Sequence, residues 1–262
     1  MYSVNHILWL ILCAGIIGVS LHLLLRYKVP LVKLLNICCV VCIFSELAKV
    51  FSTIELVPST DGTKMYPYLE LNNLPLHLCS IHIISIYYCR FAKDSPLKET
   101  WMAFMYPTCS IGATIALFVP TIFNDAVPVN QAFFHPHAYE YFLYHSMLIV
   151  LGFYILLSKQ VNLRPRHYLS SLGILTLMAF ISLYLNSIFA SPTYIADELI
   201  SVNFVPNLFF TYAPPIDIPL TEIWHWYLYL AVIVTLAVSL LALFYIPVFR
   251  RAAKDKRSIP IS

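Results

Sequence analysis

Seven long apolar segments dominate this chain, and they require lipid as its solvent. They run over about 6–25, 30–50, 74–92, 101–119, 138–158, 167–190 and 222–247. Each is close to the roughly 20 residues a helix needs to cross the hydrocarbon core. Composition agrees: 60% of the residues are hydrophobic and 11% are charged, against about 25% charged in an ordinary soluble domain. The expected fold is therefore an all-α, seven-transmembrane-helix bundle forming one integral membrane domain over residues 1–262. The segment Met1 to His6 has no Lys or Arg and no small-residue cleavage motif, so it reads as the start of a retained span rather than a signal peptide.

Charge orients the bundle. Fourteen of the sixteen basic residues fall in the turn after span one, between spans three and four, between five and six, and after span seven. Only Lys49 and Lys64 lie on the other side. The positive-inside rule then places the N-terminus outside and the C-terminus in the cytoplasm, and an odd number of spans requires opposite termini. The long connections, about 51–73, 120–137 and 191–221, fall outside. The last contains Phe204, Val205, Leu208, Phe209 and Phe210 before Ala213-Pro214-Pro215. It reads either as a lid or interfacial segment or as an ordinary packed loop.

Within the spans the third needs justification. Leu74 to Ala92 carries His77, Cys79, His82 and Ser85 but is otherwise apolar or aromatic. Pro75 is expected in its first turn, where a missing N–H costs little, with Asn72 or Asn73 as cap. Helical rise places Cys79, Glu46, His145, Asn186 and His225 roughly 5–10 Å below the outer boundary. Ionisable groups in lipid are costly and mark functional sites by default, so these positions predict a polar pocket opening toward the outer leaflet.

Each member also has a structural reading. A His in a span often hydrogen-bonds between helices, and this applies to His77, His82 and His145. Asn186 reads equally as interhelical glue or as an oxyanion donor. Glu46 can pair with Lys49 at i, i+3, and His225, between Trp224 and Trp226, reads as an interfacial anchor. The His135-Pro136-His137 segment with Glu140 has metal-ligand residue types, but the proline and loop setting argue against zinc. Seven cysteines occur, all in apolar segments. Disulfide frameworks favour exposed loops, so no disulfide is expected and packing accounts for most of these thiols. A buried thiol stays inert without a base. For Cys79 the better-aimed base is His145 on a facing helix rather than His82 on its own.

The segment Leu74-Pro75-Leu76-His77-Leu78-Cys79-Ser80 resembles the transmembrane protein 164 family and its bacterial YwaF-type relatives. Phe134-His135-Pro136-His137, Tyr144-His145 and Asn186 follow in a similar order over most of the chain. More distantly it is similar to the androgen-induced intramembrane lipid hydrolases, which use a Thr and a His. The resemblance implies an intramembrane acyltransferase with Cys79 as nucleophile and His145 as its partner, and with His77 and Asn186 at motif positions. The expected function is transfer of a fatty acyl chain between glycerophospholipids through a Cys79 thioester. Alternatives are an ester hydrolase using the same site and a non-enzymatic lipid-binding or transport protein. The remaining polar set (His77, His82, Asn186, Glu46 and His225) is expected to contact substrate. The expected partners are the bilayer and a membrane phospholipid or lysophospholipid. No cofactor, metal or nucleic acid is expected.

Overall fold

The computed structural model describes residues 3–59, 61–120, 122–125, 127–195, 198–203, 206–214, 218 and 220–257. The chain divides into two compact units, Met1–Leu163 and Arg164–Ser262. Each is described in its own frame.

In the first unit, helix α1 (Val4–Arg26) is capped by Ser3, whose side chain accepts from the His6 N–H. Helix α2 (Leu31–Thr53) starts directly after Pro30. A hairpin of β1 (Glu55–Pro58) and β2 (Met65–Tyr68) follows, with Glu55 opposite Tyr68. Helix α3 (Leu78–Phe91) leads to α4 (Pro96–Phe118), which has Ser95 as N-cap and Pro96 in its first turn. The four-residue α5 (Ile122–Asp125) precedes α6 (Pro136–Leu157). The second unit contains α7 (Arg166–Phe189), a hairpin of β3 (Ser191–Ile195) and β4 (Glu198–Asn203), a 3-10 turn at Leu208–Phe210, and α8 (Ile223–Arg257).

Among the described residues, six helices are long and apolar enough to cross a bilayer: α1, α2, α4, α6, α7 and α8. The protein is thus an all-α integral membrane protein with two short hairpins added in its connections. The third expected span is shorter than its hydrophobic stretch. Helix α3 has 14 residues, about 21 Å at helical rise. The cause lies just upstream. Leu71–Asn73 forms a 3-10 turn, and the Leu76 N–H closes on Leu74 O at 2.8 Å around Pro75. A residue before proline is pushed out of the α region, so the helix cannot begin at Leu74. Asn72 and Asn73 consequently do not cap α3. His77 occupies the N-cap position, without a side-chain bond.

Helix α6 is the axis of the first unit. It packs on α4, α1 and α2, while α3 lies against α4 and α2. The Trp9 indole is sandwiched between Phe133, at 4.9 Å, and Phe142, at 4.7 Å, both nearly parallel. Outward faces carry exposed apolar side chains such as Val19, Phe44, Ile84, Leu169 and Val232, as a lipid-facing surface requires. Core packing is tightest at the α4–α6 crossing. A Cβ on Gly152 would lie 2.3 Å from Ser110 Oγ and 2.7 Å from the Tyr106 carbonyl. Only a glycine lets the two backbones approach this closely.

Gly152→Ala therefore has to separate α4 from α6. It is expected to cost about 1–3 kcal/mol by overpacking, measured as a lowered unfolding temperature of the detergent-solubilised protein. Gly173→Ala, where an added Cβ meets nothing within 4 Å, should leave stability unchanged or slightly raise it.

Candidate functional site

The first turn of α3 is the chemically distinctive place in the first unit. Six of the seven cysteines are buried, and Cys79 is half-buried. The chain turns at Pro75 just before α3 begins, so among the described residues the Leu78, Cys79 and Ser80 amides have no backbone acceptor. Ile81 is the first to bond, to His77 O at 2.9 Å. These N–H groups are the ordinary orphans of a helix N-terminus, and Cys79 lies in the same turn. On the far side of α3, the Tyr144 hydroxyl donates to Cys79 O at 2.7 Å and ties α6 to this turn. A Cβ on Gly112 of α4 would stand 3.9 Å from Cys79 Sγ.

His145 follows Tyr144 on α6 and is 7% exposed. Its Nδ1 lies 2.6 Å from Tyr141 O. A carbonyl only accepts, so Nδ1 carries the proton and Nε2 holds the lone pair of the neutral ring. Tyr141 also donates to Ala116 O of α4 at 2.9 Å. Together with the Gly152 contact on Tyr106 and Ser110, this bond fixes an antiparallel α4–α6 register. One turn on from Tyr141, His145 comes level with Gly112. Among the described residues the Cys79 thiol itself makes no hydrogen bond to a histidine.

His82 lies one turn past Cys79 and is fully buried. Its ring sits 5.8 Å from Phe104 and near the Thr108 backbone, and among the described residues neither ring nitrogen makes a hydrogen bond of normal geometry. Such a group is costly in a membrane interior. His77 is half-buried at the α3 N-cap. Glu46 pairs with Lys49 at 2.7 Å. Beside that pair sits the His137 and Glu140 group, joined by Ser45, which the sequence reading does not include. Ser45 donates to the Glu140 carboxylate, which also lies 3.6 Å from His137 Nε2. The signal was the i, i+3 spacing of His137 and Glu140, which put both side chains on one face of α6. Among the described residues no group of three or more His, Cys, Asp or Glu is arranged to hold a metal ion.

Asn186 and His225 belong to the second unit and have local partners. Asn186 is fully buried. Its amide donates to Leu208 O at 3.1 Å and to Thr211 Oγ1 at 2.9 Å, and its oxygen accepts from Leu208 N at 2.8 Å. Ser182 reaches the same threonine at 3.2 Å. This network pins the turn in which Phe209 and Phe210 adopt left-handed φ values of 56° and 53°, a conformation unfavourable for bulky residues. The amide is engaged as glue, with neither proton aimed at a ligand. The His225 Nδ1 accepts from Glu222 N at 3.2 Å and so closes the first turn of α8. In the 191–221 connection, Leu208–Tyr212 is packed down on α7, with Tyr212 donating to Leu183 O at 3.0 Å. Phe204, Val205 and Pro215 lie outside the described residues.

The family model described as the TMEM164 family matches residues 1–245. No curated protein and no solved structure matches the chain.

Asn186→Ala would strand the Leu208 N–H in a buried turn, while its carbonyl keeps the Thr211 donors. Expected destabilisation is about 2–3 kcal/mol, read as a lower unfolding temperature and faster proteolysis within the 191–221 connection. Unchanged stability and cleavage would show that the turn is held by other contacts.

Proposed function

The chain belongs to the TMEM164 family, and on that footing we propose that it is an intramembrane lipid acyltransferase using Cys79 as nucleophile. The observation that carries the reading is that Cys79 is the one cysteine of seven that is not fully buried, and that it lies in the first turn of a helix. A helix N-terminus favours a thiolate, and free backbone N–H groups favour an oxyanion.

The proposed sequence of steps uses Cys79, His145 and the first-turn amides of α3. Cys79 Sγ attacks the ester carbonyl carbon of a phospholipid, and its proton passes to His145 Nε2, the lone-pair nitrogen. The carbonyl oxygen becomes an oxyanion facing the Leu78, Cys79 and Ser80 amides. Collapse breaks the ester C–O bond, leaves the acyl group on sulfur as a thioester, and returns the proton to the departing lysophospholipid alkoxide. A second lysophospholipid hydroxyl then gives its proton to His145 and attacks the thioester. The new ester is released and the thiol is reprotonated. With water as acceptor, the same steps hydrolyse the lipid. Tyr144 is a positioning residue through its bond to Cys79 O. His77 and the Glu46–Lys49 and Ser45–Glu140–His137 groups line the approach for a polar head. His82 sits below the thiol. Asn186 and His225, with their bonds satisfied nearby, take structural roles.

The charge distribution supports an extracytoplasmic site. With Arg26, Lys93 and Arg251 in the cytoplasm, the α3 N-terminus faces outward. Reporter fusions at residues 27, 93 and 251 should all be cytoplasmic, and any one found outside would overturn this topology.

The chemistry is tested with purified protein in liposomes, by mass spectrometry of acyl transfer between a phospholipid and a lysophospholipid. Cys79→Ser and Cys79→Ala should abolish transfer, because a hydroxyl is far harder to ionise than a thiol. His145→Gln should lower it by about 10²–10⁴-fold. Cys39→Ser, at a buried cysteine, should keep most of it. Turnover by Cys79→Ser at the wild-type rate would exclude a thiol nucleophile.

A further inference from the structure

The lipid-facing side of α2 does not stop where the helix stops. Ile37, Val40, Phe44, Leu47, Phe51 and Ile54 are all exposed, and their alternating spacing of three and four puts them on one stripe. Cys38, Cys42 and Ser45 lie buried on the other side. With 23 residues, α2 rises about 34 Å against a hydrocarbon thickness of about 30 Å. Phe51 and Ile54 therefore stand at the membrane boundary. Ile54 is already extended, with φ −71° and ψ 131°, and the chain runs straight on into β1. Side chains of an extended backbone alternate, so Leu56 and Pro58 continue on the side of Ile54.

Strand pairing carries this apolar face across the hairpin. Leu56 stands opposite Pro67, and Pro58 opposite Met65, so the four side chains share one face. All four are exposed, Leu56 at 66% and Met65 at 55%. The reverse face carries Glu55, Val57, Tyr66 and Tyr68. A tyrosine joins an apolar ring to a polar tip and is at home at headgroup level. The turn of the hairpin is polar: the Asp61 carboxylate accepts from the Ser59 and Thr63 hydroxyls and from the Thr63 N–H. An isolated two-stranded hairpin is marginal in water, and an exposed apolar face adds to that cost. Open strand edges are equally unsuited to the hydrocarbon core, where their N–H and C=O groups would go unpaired. The interface between the two satisfies both constraints.

We propose that the β1–β2 hairpin is an interfacial membrane anchor. Its Leu56, Pro58, Met65 and Pro67 face lies against lipid acyl chains in the leaflet at the C-terminal end of α2. Tyr66 and Tyr68 point to the headgroups, and the turn at Asp61 stays in the aqueous layer. Lipid is the occupant because the face continues the stripe that α2 presents to the bilayer. The proposal needs α2 as a membrane span and is independent of the acyl-transfer chemistry. It also bears on the thiol. The hairpin joins α3 through the Leu71–Asn73 turn, which packs on α2. An anchored hairpin limits how far the first turn of α3 can rise from the membrane.

The test uses the full-length protein in phosphatidylcholine vesicles, with Cys79→Ala so that the remaining native thiols are all buried. A nitroxide is attached singly at Leu56→Cys, Met65→Cys and Thr63→Cys. Paramagnetic resonance power saturation compares collisions with oxygen, which concentrates in lipid, and with a water-soluble nickel chelate. Labels at 56 and 65 should be oxygen-dominated, at a depth of about 5–10 Å into the headgroup and acyl boundary. The label at 63 should be nickel-dominated. Nickel dominance at 56 and 65 equal to that at 63 would put the hairpin in water and overturn the anchor. Low collision rates with both reagents at 56 and 65 would show the face covered by protein, whether a second copy or another chain, and overturn lipid as its occupant. Circular dichroism and thermal unfolding report whether each labelled protein is folded. If they do not fold, p-benzoylphenylalanine in place of Met65 decides. Photolysis should yield a phospholipid adduct by mass spectrometry, and an adduct with protein alone, or none, overturns the proposal.

Discussion

The close approach of α4 and α6 at Gly152 sets the position of everything around the thiol. Two backbones in contact at one point, plus the Tyr141 bond to Ala116 O one end further along, leave the helices no freedom to slide. His145 then has to come level with Gly112, and Tyr144, its neighbour, has to project to the first turn of α3. Lipid makes such contacts decisive. Between helices in a bilayer there is little hydrophobic driving force, so packing of small residues and a few hydrogen bonds hold the arrangement. A single methyl at Gly152 would therefore be felt at Cys79, 73 positions away in the chain (152 − 79) and on another helix.

Much of this architecture was legible from residue order. The six long spans follow from apolar length alone. Cys79 and His145 were recognisable as costly groups at matching depth. What was not legible depended on local backbone chemistry or on partners distant in sequence. Pro75 shortens α3 because the residue before it cannot be helical, which outweighs an apolar stretch that continues upstream. The β1–β2 hairpin carried a turn signal, Asp61-Gly62, and Gly62 does adopt a positive φ of 69°. Hydrogen bonds from Ser59 and Thr63 hold the Asp61 carboxyl at about 2. The pairing of Ser45 with Glu140 joins residues 95 positions apart, for which no pattern along the chain gives warning.

Asn186 illustrates the opposite case. Its depth matched that of Cys79, and depth alone grouped the two. The deciding information is what the amide binds, and its two donors and its oxygen are all taken by one turn of its own unit. A polar residue in an apolar helix is always expensive, and hydrogen bonding to a nearby strained turn resolves that expense without any ligand. His82 shows what an unresolved case looks like: full burial, two nitrogens without a hydrogen bond of normal geometry among the described residues, and a place one turn from the half-buried Cys79.

The last helix carries a mechanical consequence. Helix α8 has 35 residues, about 52 Å of rise against a hydrocarbon thickness near 30 Å. It must tilt steeply or project, and Arg250, Arg251 and Lys254 near its end favour projection. Cations at that height meet lipid phosphates, each worth about 1 kcal/mol of attraction to an anionic leaflet. The helix then behaves as a float with a weighted keel: its apolar length resists sinking, its basic end resists rising, and the second unit is held at a set depth in the bilayer.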